Sequence, residues 1–283
     1  MVTRRVGFTL AEAVVALAIG SIVVVLVSTV FLVQNRYYAL QLQRSVAHDN
    51  ARTATELVSS ELRSVMRGAF VVAERERMVV RSPIVLAVVC SVFGGGPVTV
   101  HLEGGVGRVA TEEVAGFAVR DAATALWSYY DIPGWSTIDQ PGGQSAADCA
   151  AKGADTTGIA NEFERLRRLD DYHGALPVVG DVLMLYRNLE YRYRTSVMDP
   201  ASVGLFRGVY GDTLQELVTG MDTTAGFQYR AGAPGYQDVV GAAGLSTIDA
   251  VRLVAQARQR AETGGRSDVT FGWSVNVYLR NGR

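Results

Sequence analysis

Residues Phe8 to Val33 form an apolar run broken only by Thr9, Glu12, Gly20, Ser21, Ser28 and Thr29. As a helix this run is about 39 Å long at ~1.5 Å per residue, enough to cross a hydrocarbon layer of about 30 Å with some tilt. Beyond Val33 the pattern turns amphipathic. Leu40, Ala47, Ala51, Ala54, Val58, Leu62 and Val65 recur at steps of three, four or seven, while Arg44, Asp49, Arg52, Glu56 and Arg63 take the other sides. Neither proline nor glycine interrupts Ser21 to Arg67, and Gly68 is the natural stop. The pattern therefore predicts one helix, spanning in 8–34 and amphipathic in 35–67. Its alanine-rich inner face suits packing on a sheet better than a free coiled coil.

After Gly68 the period shortens to alternating runs separated by Gly, Pro and Asp. The expected strands are Ala69–Ala73, Met78–Arg81, Ile84–Val92, Val98–Leu102, Val114–Arg120, Ala125–Tyr130, Val182–Tyr186, Leu189–Thr195, Gly204–Tyr210, Ala225–Arg230, Ala250–Ala257 and Val269–Leu279. The last alternates most clearly, through Phe271, Trp273, Val275, Val277 and Leu279. Short connections and the lack of a βαβ rhythm predict antiparallel meanders. Residues 133–171 break the texture, being polar and glycine-rich around Pro141-Gly142-Gly143. They read as a surface insertion in a head covering 68–283, with a short helix over Asn161–Leu169. The fold class is thus α+β, a long N-terminal helix packed on an antiparallel β-sheet head.

Composition narrows the function. Hydrophobic residues make up 48% of the 283 and charged residues 19%, so a sizeable core is available. A net charge of -1 argues against a nucleic-acid surface, which needs a basic stripe. Lys152 is the only lysine, so the cationic charge is nearly all arginine. The two cysteines, Cys90 and Cys149, have no metal-type spacing. A disulfide between them is permitted outside the cytoplasm, and the sequence leaves open whether they meet.

Catalytic patterns are missing. His48, His101 and His173 stand far apart, and His48 falls on the polar side of the helix, where it reads as solvated. Adjacent carboxylates at Glu112-Glu113 and Asp170-Asp171 point to opposite faces of a strand. Gly94-Gly95-Gly96 lacks the Lys-Ser/Thr of a phosphate loop, and no ordered Asp ladder or nucleophile elbow is present. The chain reads as a non-enzyme that needs no cofactor and no metal.

Glu12 is the oddity. A carboxylate inside a membrane span costs about 2.5–3.5 kcal/mol on insertion scales and calls for a partner. Arg4 and Arg5 precede the span and favour a cytoplasmic N-terminus, with the head beyond the membrane. The apolar segment is too long for an ordinary secretory signal, and the small residue Gly7 precedes it rather than following it. A cut after Gly7 removes 1–7 as a leader, leaves the helix on the mature chain, and makes Phe8 a new amino terminus one turn from Glu12.

The stretch Gly7-Phe8-Thr9-Leu10-Ala11-Glu12-Ala13-Val14-Val15-Ala16-Leu17-Ala18-Ile19-Gly20, behind a short arginine leader, resembles the class III signal of type IV prepilins and pseudopilins. The resemblance implies cleavage after Gly7 by a prepilin peptidase, methylation of Phe8, and use of Glu12 in docking subunits. Many major pilins carry a proline partway along the span, where this chain has Ser28-Thr29. In the head, Leu189-Glu190-Tyr191-Arg192-Tyr193-Arg194, Gly204-Leu205-Phe206-Arg207, Leu217-Val218-Thr219-Gly220-Met221, Ala250-Val251-Arg252-Leu253 and Val277-Tyr278-Leu279-Arg280-Asn281 follow in an order that resembles PilW-type minor pilins and the related J-type pseudopilins. The resemblance implies a pilin-like fold and a subunit of the inner membrane that joins other minor and major pilins, priming a type IV pilus at its tip. A minor pseudopilin of type II secretion is the alternative, and a tip adhesin acting through 133–171 is another.

Overall fold

The computed structural model describes residues 9–92, 98–102, 114–120, 126–131, 135–137, 166–169, 178, 180–259 and 269–279. One helix, α1 (Leu10–Leu62, 53 residues), opens the chain. Thr9 caps it with extended backbone, and its first-turn acid is Glu12.

The strands that follow are β1 (Phe70–Ala73), β2 (Arg77–Val92), β3 (Val98–Leu102), β4 (Gly116–Arg120), β5 (Trp127–Asp131), β6 (Trp135–Thr137) and β7 (Leu166–Leu169). The second group is β8 (Val182–Thr195), β9 (Val203–Val209), β10 (Gln215–Met221), β11 (Gly226–Ala231), β12 (Ile248–Gln259) and β13 (Val269–Tyr278), with a 3-10 turn at Ala242–Thr247 before β12. All thirteen join one sheet, and every ladder is antiparallel. With α1 it makes an α+β fold.

The two longest strands, β2 and β8, pair from Arg77↔Arg192 to Val88↔Val182 and form the spine. Along the free side of β2 lie β1 and then β3, which carries β7 and β6 outward. Along the free side of β8 lie β9 and then the β4–β5 hairpin. From β9 the sheet passes through β10 to β12, whose one edge receives Met221 of β10 opposite Ala257 and then β11, Gly226 opposite Val254. The other edge of β12 takes β13 over its whole length.

α1 lies chiefly over β12 and β13, with a lighter contact to β10. Its stripe Ala47, Ala51, Ala54, Val58 and Leu62, continued by Val65, is buried with Tyr191, Tyr193, Leu205, Phe227, Leu253, Ala255 and Val277. Two polar residues on that face are buried without being orphaned. Thr55 donates to the carbonyl of Ala51 at 3.0 Å, and Ser59 to that of Glu56 at 3.1 Å. A second cluster of Val85, Ala87, Val89, Phe117, Leu183 and Leu185 lies where β4 runs antiparallel beside β8, itself paired with β2.

Several expected boundaries move. The helix stops at Leu62 rather than running to Gly68, because Ser64 and Val65 donate to the carbonyls three residues back, 3.1 and 3.0 Å away, and tighten the last turn. β2 continues through Pro83, with its register against β8 shifting between Pro83 and Val85. Arg81 N–H bonds the Ala69 carbonyl on the outer side at 2.8 Å, and two residues on the missing proline N–H faces the same side, where β1 has ended and β3 has not begun. β8 likewise continues through Arg187 and Asn188, where the sequence pattern suggests a break. Leu166–Leu169, the end of the expected helix Asn161–Leu169, is β7, and with β6 it ties part of 133–171 into the sheet through β3.

Candidate functional site

The part of α1 that the head does not cover is the candidate site. Among the described side chains of the helix, Ala47 is the first that is buried. From Leu10 to Val33 the apolar side chains are exposed all round, Leu10 at 85% and Leu17 at 75%. A helix apolar on every side and packed on nothing needs a non-aqueous surrounding. This length rises about 35 Å at ~1.5 Å per residue, against about 30 Å of hydrocarbon. The chain therefore carries one N-terminal helix long and apolar enough to span a membrane.

Two hydroxyls of the arm are satisfied internally. Ser21 Oγ donates to the Ala18 carbonyl and Thr29 Oγ1 to that of Leu26, each at 2.8 Å. Neither brings an unpaired donor into lipid. Just past the apolar stretch, Arg36, Tyr37 and Tyr38 follow one another, both tyrosines exposed. Aromatic and cationic side chains there match the headgroup level of a bilayer. The Arg-Tyr-Tyr sequence beside the span was the available signal for this belt.

Glu12 is the only charged residue from Leu10 to Val33. Its Oε2 accepts from Thr9 N–H at 3.0 Å and from Thr9 Oγ1 at 2.9 Å, while Glu12 N–H reaches back to Thr9 Oγ1 at 3.4 Å. This is a capping box, one acid and one hydroxyl satisfying the open end of the helix. The Thr-x-x-Glu spacing was legible, and Thr9 was the part left out of the sequence reading. Ala11, Val15, Ala16 and Ile19 form a shallow apolar groove beside the carboxylate.

Of the other expected site residues, Arg4, Arg5, Gly7 and Phe8 lie outside the described residues, as does Cys149. Cys90 is in β2. Glu112, Glu113, Asp170, Asp171, His173 and Gly94-Gly95-Gly96 are also outside them. His48, expected to be solvated, is partly covered: 39% of its side chain stays exposed, while its ring meets Phe271 edge-on at 4.7 Å and Trp273 at 5.9 Å. Position 48 borders the Ala47–Ala51 stripe, so β13 covers one side of the ring. Among the described residues no three His, Cys, Asp or Glu side chains gather as a metal site.

Polar anchors join helix to head. Arg207 grips Glu61 with two hydrogen bonds, 3.0 and 2.6 Å, and Asn50 donates to the Thr219 carbonyl at 3.1 Å. No family model, curated protein or solved structure matches the chain.

Proposed function

We propose that the chain is a pilin-like structural subunit, not an enzyme, which is cut after Gly7, methylated at Phe8 and assembled through its N-terminal helix into an envelope filament. The observation that carries this reading is a helical arm, Leu10–Val33, exposed and apolar on every side, with its one acid, Glu12, at the N-terminal end beside the Gly7-Phe8 junction. An isolated carboxylate in lipid needs a cation, and an amino terminus created at Phe8 places one within a turn. In a filament the partner is the amino terminus of the same subunit or of its neighbour. The apolar arm then exchanges lipid for the corresponding helices of other pilins.

The finer assignment is a minor pilin of the PilW type, held in the inner membrane with its head outside the cytoplasm and priming assembly at the pilus tip. Its support is the order of the head segments quoted above and the lack of a proline in the span. In this reading the partners are prepilin peptidase, other minor and major pilins, and membrane lipid before assembly.

The deciding experiment is mass spectrometry of the mature N-terminus from membranes of the native host. A chain beginning with methylated Phe8 is expected. An intact Met1, or cleavage elsewhere, overturns the proposal.

A further inference from the structure

Between the apolar arm and the packed stripe, α1 has a neck, Gln34 to Val46, that belongs to neither. Its charge has one sign. From Glu12 to Asp49 the chain carries no carboxylate, and Arg36 and Arg44 are the two arginines in between. Both are exposed, and neither meets an acid among the described residues. Farther along the same helix the charges are matched, Arg52 with Glu56 and Glu61 with Arg207, each pair at 2.6 Å.

Helical spacing puts the two arginines on one side. Arg36, Leu40 and Arg44 advance in steps of four, and Ala47, Ala51 and Ala54 continue that row onto the sheet. The cationic face of the neck is therefore the sheet-bearing side of α1. Tyr37 borders it and is exposed.

Along the axis Arg36 stands about 4–5 Å and Arg44 about 16 Å beyond Val33, at ~1.5 Å per residue. A headgroup layer is about 5–8 Å deep on each side of the hydrocarbon, so Arg36 falls within it. Arg44 lies above it in an upright helix, and two effects bring it down. Helical side chains lean toward the N-terminus, here the bilayer side, and a long arginine stem extends to reach a charged layer. The arm also exceeds the hydrocarbon by about 5 Å, a surplus that tilt absorbs. A tilt toward the arginine side lowers Arg44 to the headgroups. The opposite side carries Tyr38 and Leu42, which gain nothing from charge, so anionic lipid favours the arginine side alone.

We propose that Arg36 and Arg44, with Tyr37 beside them, hold the phosphodiester of an anionic phospholipid in the leaflet nearest the head, and that this contact sets the direction in which α1 tilts. Guanidinium groups match phosphate oxygens through paired N–H donors, whereas a choline on the lipid cancels the charge that draws it. The occupant is a lipid rather than a soluble anion because the arm fixes this face at headgroup level. The proposal rests on the reading of α1 as a membrane span.

The test titrates phosphatidylglycerol into zwitterionic detergent micelles that hold the full chain with isotope-labelled arginine. Saturable shifts of the Arg36 and Arg44 Nε–H resonances are expected, and neither phosphatidylcholine nor inorganic phosphate should reproduce them. Arg36→Gln and Arg44→Gln should each weaken binding about fivefold, the worth of one basic residue at an anionic surface. The pair Arg36→Lys and Arg44→Lys keeps the charge and should retain most of the affinity. Equal shifts with phosphatidylcholine overturn the proposal, as do shifts with phosphate alone, which would make this a soluble-anion site. A dimer of the full chain that the double glutamine variant dissociates also overturns it, by giving the face to a second copy. Alkaline carbonate extraction of vesicles separates the two readings. A chain released from the bilayer fails as a membrane span and takes this proposal with it. A retained chain with no preference for phosphatidylglycerol fails here alone.

Discussion

Glu190 of β8 keeps only 6% of its side chain exposed, and one neighbour makes that tenable: Arg77 Nε donates to its Oε1 at 2.9 Å. The hydrogen bond that Arg77 donates to that carboxylate is the main reason it holds its proton even more firmly than a free guanidinium. Arg77→Met would strand the acid among β2 and β8 and is expected to cost about 3 kcal/mol, the scale for breaking a buried pair from one side. Adding Glu190→Gln should recover much of that loss, read as the coupling in a double-mutant cycle of denaturant midpoints. Asp238 makes a second residue-scale prediction. Gln228 Nε2 and Arg75 Nη1 each donate to it at 2.9 Å and hold its carboxyl below the usual range. A depressed carboxyl favours the folded state above its unfolded pKa of about 3.9, and that contribution disappears as pH falls through the folded value. Asp238→Asn should therefore flatten the acid limb of the melting-temperature profile below about pH 4, with a small change at neutrality because the side chain is 43% exposed.

At the scale of elements, the contact between α1 and the sheet depends on small residues. Ala47, Ala51 and Ala54 are buried against β12 and β13, and Ala255 and Ala257 answer them from β12. Alanine facing alanine lets helix and sheet approach closely and leaves no room for growth. Ala51→Leu should destabilise the head by about 1–3 kcal/mol through overpacking, despite being the more hydrophobic side chain and an acceptable helix former. A loss of that size in chemical denaturation, with the membrane arm intact, would locate the effect in the head. This stripe was legible because one face of a helix repeats regularly, and β12 and β13 were legible because Val251 to Ala257 and Phe271 to Leu279 alternate without interruption. β10 was not, since register shifts on either side of Val218 and a positive φ at Gly220 break its alternation. Pro83 and the Arg187-Asn188 pair looked like strand ends, yet each lies at a place where a neighbouring strand changes. That information belongs to the topology rather than to the local chain. β6 and β7 are too short to show a period, and the partial cover over His48 was not legible because helical spacing tells the sides of α1 apart but not how far the sheet wraps around them.

At the scale of the whole molecule, an exposed apolar arm long enough to span a membrane is separate from the packed head. Among the described side chains none before Ala47 is buried, so removing Leu10–Val33 takes nothing from the core. A chain beginning at Gln34 is expected to stay monodisperse without detergent and to unfold within about 0.5 kcal/mol of the full chain, as for changes remote from any packed feature. Collapse of the head on removal of the arm would show that the arm contributes to folding and not only to placement. Glu12 concerns the arm alone. Glu12→Ala removes the capping box, worth about 1 kcal/mol at one helix end, and also removes an insertion cost of about 2.5–3.5 kcal/mol. Insertion should therefore be at least as efficient as in the wild type, and cleavage after Gly7 should be unaffected. Incorporation into filaments should fall about 10- to 100-fold, because a charge-assisted pair between Glu12 and an amino terminus is worth about 1.5–3 kcal/mol. Membrane fractionation, the mature N-terminal mass and the sheared filament fraction measure the three steps separately. Normal incorporation of the processed variant would mean that the carboxylate caps the helix and does not dock it.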